Sequence, residues 1–133
     1  MPRARALEVV AESDVLLHPT LHDSGGFVTL EAMAAGRPVV CLDLGGPALQ
    51  VTPETGIAVP AVSPPQAVAD LEAALRRLAA DPALRDRMGR AGRARVEAEF
   101  RWDAHVQAAL ERYDAMWEHA ADRTESDPAL EVA

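Results

Sequence analysis

The chain has 133 residues, of which 49% are hydrophobic, enough for one domain with a core and too apolar for compositional disorder. Its net charge of −8, with all thirteen basic residues arginine and none lysine, argues against a nucleic-acid partner, because phosphate contacts need clustered cations. No apolar run approaches the ~20 residues a membrane span requires, no signal-peptide pattern is visible, and the single cysteine excludes an internal disulfide, so a cytoplasmic protein without a transmembrane segment is expected.

Residues 6–11 read as a short helix. Residues 14–18, Asp-Val-Leu-Leu-His, form an apolar run closed by Pro19, the pattern of a buried parallel strand. A polar turn over 20–26 leads into a helix over 27–35, with Phe27, Leu30, Met33 and Ala34 at helical spacing. Gly36 stands where a left-handed cap would end it, and Pro38 prevents continuation. Residues 39–42 are a second strand; Cys41 lies inside it as a small hydrophobe rather than a nucleophile. Gly45-Gly46-Pro47 opens a turn or short helix, and 56–60 form a third strand.

The remainder is helical. Ser63-Pro64-Pro65-Gln66 has the form of a capping box with proline at the first helical position, followed by the stripe Val68, Leu71, Leu75 and Leu78. Asp81-Pro82 starts another helix, with Leu84, Met88 and Ala91 inward. Its five arginines from Arg85 to Arg95 fall at about 0, 200, 140, 80 and 280° around the axis, a solvated helix and not a basic face. A last helix spaces Trp102, Val106, Leu110, Tyr113 and Trp117 at fours and threes, more as packing residues than as a stacking platform. One domain over 1–121 and an acidic, disordered tail over 122–133 are expected. The alternation predicts an α/β fold: a partial Rossmann-like parallel sheet of about three strands with C-terminal helices.

The chemistry concentrates between Asp14 and Gly46. A strand ends, Gly25-Gly26 follows, and a helix begins at once. The N–H groups of Gly26, Phe27 and Val28 are then expected to be unpaired, with the positive end of the helix dipole behind them: a generic anion site. Asp23 and Glu31 flank it. Carboxylates would repel a diphosphate unless they face hydroxyls, and a nucleotide sugar offers a ribose diol on one side of its diphosphate and sugar hydroxyls on the other. Taken singly, Asp23 could be an Asx-turn residue, and Glu31 a solvated acid stabilised by the dipole. His18 and His22 are four apart, but Pro19 forbids a helix between them, so no metal pair is expected.

These residues resemble a known family, the GT-B retaining glycosyltransferases of family 4 (glycosyl transferases, group 1). That family carries a Glu-x7-Glu signature, then Glu-Ala-Met-Ala-x-Gly-x-Pro-Val-Val and an Asp-x-Gly-Gly turn. Here these read Asp23-x7-Glu31, Glu31-Ala-Met-Ala-Ala-Gly-Arg-Pro-Val-Val40 and Asp43-Leu-Gly-Gly46. Asp81-Pro-Ala-Leu and Phe100-Arg-Trp102 also fall where the family has its closing helices, so the resemblance covers about residues 8–117. It implies sugar transfer with retention from a nucleoside-diphosphate sugar, without metal ion or cofactor. By position, Glu31 would grip the donor's ribose hydroxyls, and Asp23 would sit at the sugar near the reacting centre as the catalytic acid residue. Gly25, Gly26, Phe27 and Val28 would hold the diphosphate. The family's first acid is usually Glu; Asp23 is one methylene shorter. Its serine before the terminal helix is Arg101 here, which weakens that cap.

The resemblance places the chain as the second half of a GT-B C-terminal domain, without the acceptor domain and without the strands carrying the family's diphosphate-neutralising Arg and Lys. A helix N-terminus holds an anion by ~0.3–1, at best ~2 kcal/mol, whereas millimolar binding needs about 4. Weak donor binding and no transfer by the isolated chain follow. The alternative is a non-catalytic, truncated or split glycosyltransferase acting as a nucleotide-binding or interaction module. Partners would be the missing acceptor domain or another copy, through self-association at the terminal helix. An ordinary cofactor-binding Rossmann domain is disfavoured, since no Gly-x-Gly-x-x-Gly follows a strand.

Overall fold

In a computed structural model that describes residues 2–125, the elements run α1 (Arg3–Glu12), β1 (Leu16–His18), α2 (Phe27–Ala34), β2 (Val39–Leu42), α3 (Gly45–Gln50), β3 (Gly56–Val59), α4 (Pro64–Ala80), α5 (Pro82–Glu99) and α6 (Trp102–Glu125). The chain divides into two units, Met1–Ala98 and Glu99–Ala133. All three strands of the first unit are parallel, in the order β1-β2-β3. Leu16 pairs with Val39, and Val39 in turn with Gly56. The expected α/β fold with a three-stranded parallel sheet is observed.

Strand periodicity sends alternate side chains to opposite faces. Val40 and Leu42 of β2 and Val59 of β3 join Ala74 and Leu78 of α4 and Met88 of α5 in one core. Val39 and Cys41 face the other way and pack with Ala32 and Met33 of α2 and with Val51. All four β2 residues are buried, as a central parallel strand demands. Cys41 behaves as the expected small hydrophobe; burial, with a contribution from Asp43, pushes its thiol up to about 11.

Several local expectations change in detail. The first helix begins at Arg3 rather than residue 6. Gly36 does end α2 with φ 72°, and the Gly36 and Arg37 N–H groups return to the Met33 and Ala32 carbonyls at 2.9 Å each. The capping box at Ser63 forms only in half: Ser63 Oγ accepts from the Gln66 N–H, but the Gln66 side chain donates to Asp70 instead of reaching back. Val68 is 65% exposed, so the inward face of α4 is Ala74 and Leu78, flanked by Leu71 and Leu75.

The arginines of α5 are not all solvated. Arg85 donates to the Leu78 and Ala79 carbonyls, capping the end of α4, and Arg95 donates to the Gln50 carbonyl that ends α3. The inner face of α5 also carries Gly89 and Gly92 beside Met88. A side chain on Gly89 would strike the Gly36 carbonyl, so this helix lies directly on backbone. In the second unit, α6 continues through Glu125, beyond the point expected for the start of the tail; the tail expectation for 126–133 lies outside the described residues.

Candidate functional site

The carboxyl ends of β1 and β2 deliver two loops, 19–26 and 43–44, to the same edge of the sheet, where open α/β sheets bind ligands. The loops are joined by the Gly46 N–H, which donates to the Asp23 carbonyl at 2.8 Å. Gly45, with φ 59°, permits this approach, since a side chain there would run into the same Asp23 carbonyl. The Asp-x-Gly-Gly turn and the Asp23 loop are therefore one construction.

Asp23 Oδ1 accepts the Gly25 N–H at 3.1 Å and the Gly26 N–H at 2.8 Å, and Oδ2 lies 3.0 Å from His18 Nε2. A carboxylate only accepts, so His18 presents Nε2–H to it. The Gly26 N–H, then His18 and the Gly25 N–H hold the Asp23 carboxyl below its ordinary range. Asp23 thus closes the turn in the manner of an Asx-turn. This corrects one expectation: the Gly26 amide is not open, because Asp23 caps it.

The open donors lie one step further on. Thr29 and Leu30 N–H return to the Gly26 carbonyl, whereas among the described residues the Phe27 and Val28 N–H groups have no partner. They form the start of α2, with the dipole behind them. The Phe27 ring lies over Gly25 and is 61% exposed. Glu31 sits further along α2, with its carboxylate paired to Arg3 of α1 at 2.8 Å. Asp23, Gly25, Gly26 and the Phe27 and Val28 amides are brought together; Glu31 is held separately, by Arg3.

Two neighbours were not singled out by the sequence as site residues. The spacing of His18 and His22 raises only a metal pair, which Pro19 disfavours, whereas His18, at the end of β1, meets Asp23 instead. Gln50, a lone polar residue between Leu49 and Val51, lies buried beneath the glycine turn, with Nε2 donating to the Gly25 carbonyl at 2.8 Å. Its one signal was a glutamine inside an apolar run.

Residues 1–95 match the family described as Glycosyl transferases group 1. The chain belongs to that family. It is 38% identical over 133 residues to a D-inositol 3-phosphate glycosyltransferase of Gordonia bronchialis, covering 98% of this chain and 27% of the relative. It is 38% identical over 104 residues to a GDP-mannose-dependent monoacylated alpha-(1-6)-phosphatidylinositol monomannoside mannosyltransferase of Corynebacterium glutamicum, covering 73% and 26%. Among solved structures, sucrose-phosphate synthase from Thermosynechococcus elongatus superposes with a TM-score of 0.72 at 34% identity, over 84% of this chain and 27% of that one. The fold is thus of the GT-B glycosyltransferase type, and the chain spans about a quarter of the length of these relatives. Among the described residues no helix is long and apolar enough to cross a membrane.

Proposed function

We infer that this chain supplies the donor-binding part of a retaining group 1 glycosyltransferase, with residues 1–121 belonging to its C-terminal domain. The observation that carries the reading is the pair of open N–H groups at Phe27 and Val28, set at the carboxyl ends of parallel strands. An anionic group fits them, and a nucleoside diphosphate sugar adds hydroxyls for the flanking acids. The name of the Corynebacterium relative states a GDP-mannose donor, which supports this ligand class.

In this reading α2 takes the diphosphate leaving group. When the bond from the anomeric carbon to the diphosphate oxygen breaks, negative charge grows on that oxygen, and fixed N–H dipoles stabilise it without a metal ion. Glu31 takes the ribose hydroxyls. Its present partner, Arg3, is 80% exposed, and such pairs are worth only ~0–1 kcal/mol, so a diol can compete. Asp23 faces a sugar hydroxyl. A carboxylate has about four acceptor positions; His18, Gly25 and Gly26 use three of them, which leaves one. The acceptor substrate is held by another domain, and transfer requires it.

Titrating UDP and GDP into the 133-residue chain while following backbone amide shifts tests the assignment. Phe27 and Val28 are expected to move first, at millimolar nucleotide. Shifts confined to α4 or α5 would overturn it.

A further inference from the structure

We propose that Gln50 is a positioning residue of the donor site, fixing the Gly25-Gly26 turn from beneath and so the direction in which the first amides of α2 point. The proposal rests on the donor reading for its ligand, but on separate geometry for its mechanism.

Gln50 ends α3 and is 6% exposed. Its Nε2 donates to the Gly25 carbonyl at 2.8 Å. The amide lies flat against Gly26: a Cβ at that position would meet Gln50 Oε1 at 2.5 Å and Nε2 at 2.8 Å. Asp23 holds the N–H side of the same turn through Gly25 and Gly26. The turn is therefore clamped on both sides, by a carboxylate that takes its N–H groups and by an amide that takes its carbonyl. Gln50 is itself anchored, because Arg95 Nε of α5 donates to its backbone carbonyl at 3.1 Å. A chain of contacts thus runs from α5 through the end of α3 to the residue preceding α2.

The choice of side chain supports a role beyond packing. Gln50 Oε1 is buried without a hydrogen-bond partner, a costly arrangement. Methionine or leucine would fill a similar volume without that cost. What neither can do is hold the Gly25 carbonyl. Glutamate could not do so either, since an ionised carboxylate has no proton to donate. Locally unfavourable features of this kind concentrate at functional sites. Gly26 has φ 58°, a conformation that glycine leaves readily, so the peptide before α2 needs an external hold.

The test uses the whole chain, as wild type, Gln50→Met and Gln50→Asn, with UDP as the probe. Gln50→Asn keeps the amide but withdraws it by one methylene. Three quantities are read: the melting temperature, hydrogen exchange at the Gly25 and Gly26 amides, and UDP affinity from the Phe27 and Val28 shifts. The expected result is a melting temperature close to wild type or higher for Gln50→Met, with faster exchange at Gly25 and Gly26 in both variants. UDP affinity should fall roughly twofold to tenfold, the range of one ordinary hydrogen bond. Unchanged exchange and affinity in a folded variant would reduce Gln50 to a packing residue and overturn the proposal. If either variant fails to fold, the other decides. If UDP leaves the start of α2 unperturbed in wild type, the donor reading falls, and the exchange rates alone judge the clamp.

Discussion

The His18 imidazole and the Asp23 carboxylate meet at 3.0 Å across the loop that leaves β1, while the other Asp23 oxygen holds the Gly25 and Gly26 amides. A strand end and a helix start are thereby tied through one side chain. That tie has a pH dependence with a definite sign. The Asp23 carboxyl is held below its ordinary value of 3.8, chiefly by the Gly26 N–H and then by His18. A depressed carboxyl stabilises the fold at all pH values above its unfolded pKa and loses that contribution as pH falls through the folded one. The Gly25 and Gly26 amide shifts should therefore report no Asp23 titration between pH 7 and 5, and should move only below about pH 4. Asp23→Asn should abolish the acid step. An Asp23-dependent transition near pH 5 would contradict the assigned contacts.

Two glycines, Gly26 just before α2 and Gly89 within α5, should respond differently to alanine. Gly26 has φ 58°, and its missing Cβ is replaced by the Gln50 amide. Left-handed backbone costs alanine about 1–2 kcal/mol, and overpacking adds about 1–3 more. Gly26→Ala should lower stability by that amount and weaken UDP binding at Phe27 and Val28 as well. Gly89→Ala, on α5, drives a methyl into the carbonyl of Gly36 beyond the end of α2, away from the Gly25-Gly26 turn. It should lower the melting temperature without changing UDP affinity in the fraction that stays folded. Equal loss of affinity in both would mean that the turn is not a local device.

Legibility differed between the fold and the site for physical reasons. The strands Val39–Leu42 and Gly56–Val59 and the cap at Gly36 were readable because unbroken apolar runs and a helix-ending glycine signal through local sequence. The open start of α2 was readable as a strand, a glycine pair and a helix start. What eluded the sequence depends on contacts between distant segments. Arg95 reaches Gln50 across 45 positions, and Gln50 reaches Gly25 across 25. No periodicity in either segment encodes those meetings. Asp23 shows the opposite limit: its sequence context offers an Asx-turn or a site residue as rivals, yet one carboxylate has acceptor positions for both.

Glu31 and Asp23 should separate kinetically in a two-domain transferase that contains this chain. In the proposed donor site, Glu31→Gln would remove a charge-assisted bond to the ribose, worth roughly tenfold or more in donor affinity. It should raise the donor KM while leaving kcat close to wild type. Stability should scarcely change, since the Arg3–Glu31 pair is largely exposed. Asp23→Asn can still accept the Gly25 and Gly26 N–H groups, so the turn should survive. If Asp23 faces the sugar as proposed, its loss of negative charge should lower kcat more than it raises KM. Steady-state kinetics on both variants checks the division, and near wild-type values in both would remove these two residues from the site.

The 133-residue chain should self-associate. Among the described residues β1 pairs with β2 alone, so one edge of that strand carries N–H and C=O groups with no described strand beside them. Such edges recruit other chains. Leu17 on β1 is 42% exposed and lines an open groove with Val68, Leu71 and Leu75 of α4. A strand added at this edge would also cover that groove. In the second unit, α6 is the one helix among the described residues, and Trp102, Val106, Leu110, Tyr113 and Trp117 on it are exposed. Burying a large apolar side chain contributes ~1.5–3 kcal/mol, so either surface supplies a driving force for association. Sedimentation velocity at tens of micromolar should show a dimer or larger species. Leu17→Lys places a charge on the edge strand, and Leu110→Lys places one on the α6 stripe, so the variant that restores the monomer identifies the surface used. A folded wild-type monomer at that concentration would show that neither surface acts as an interface.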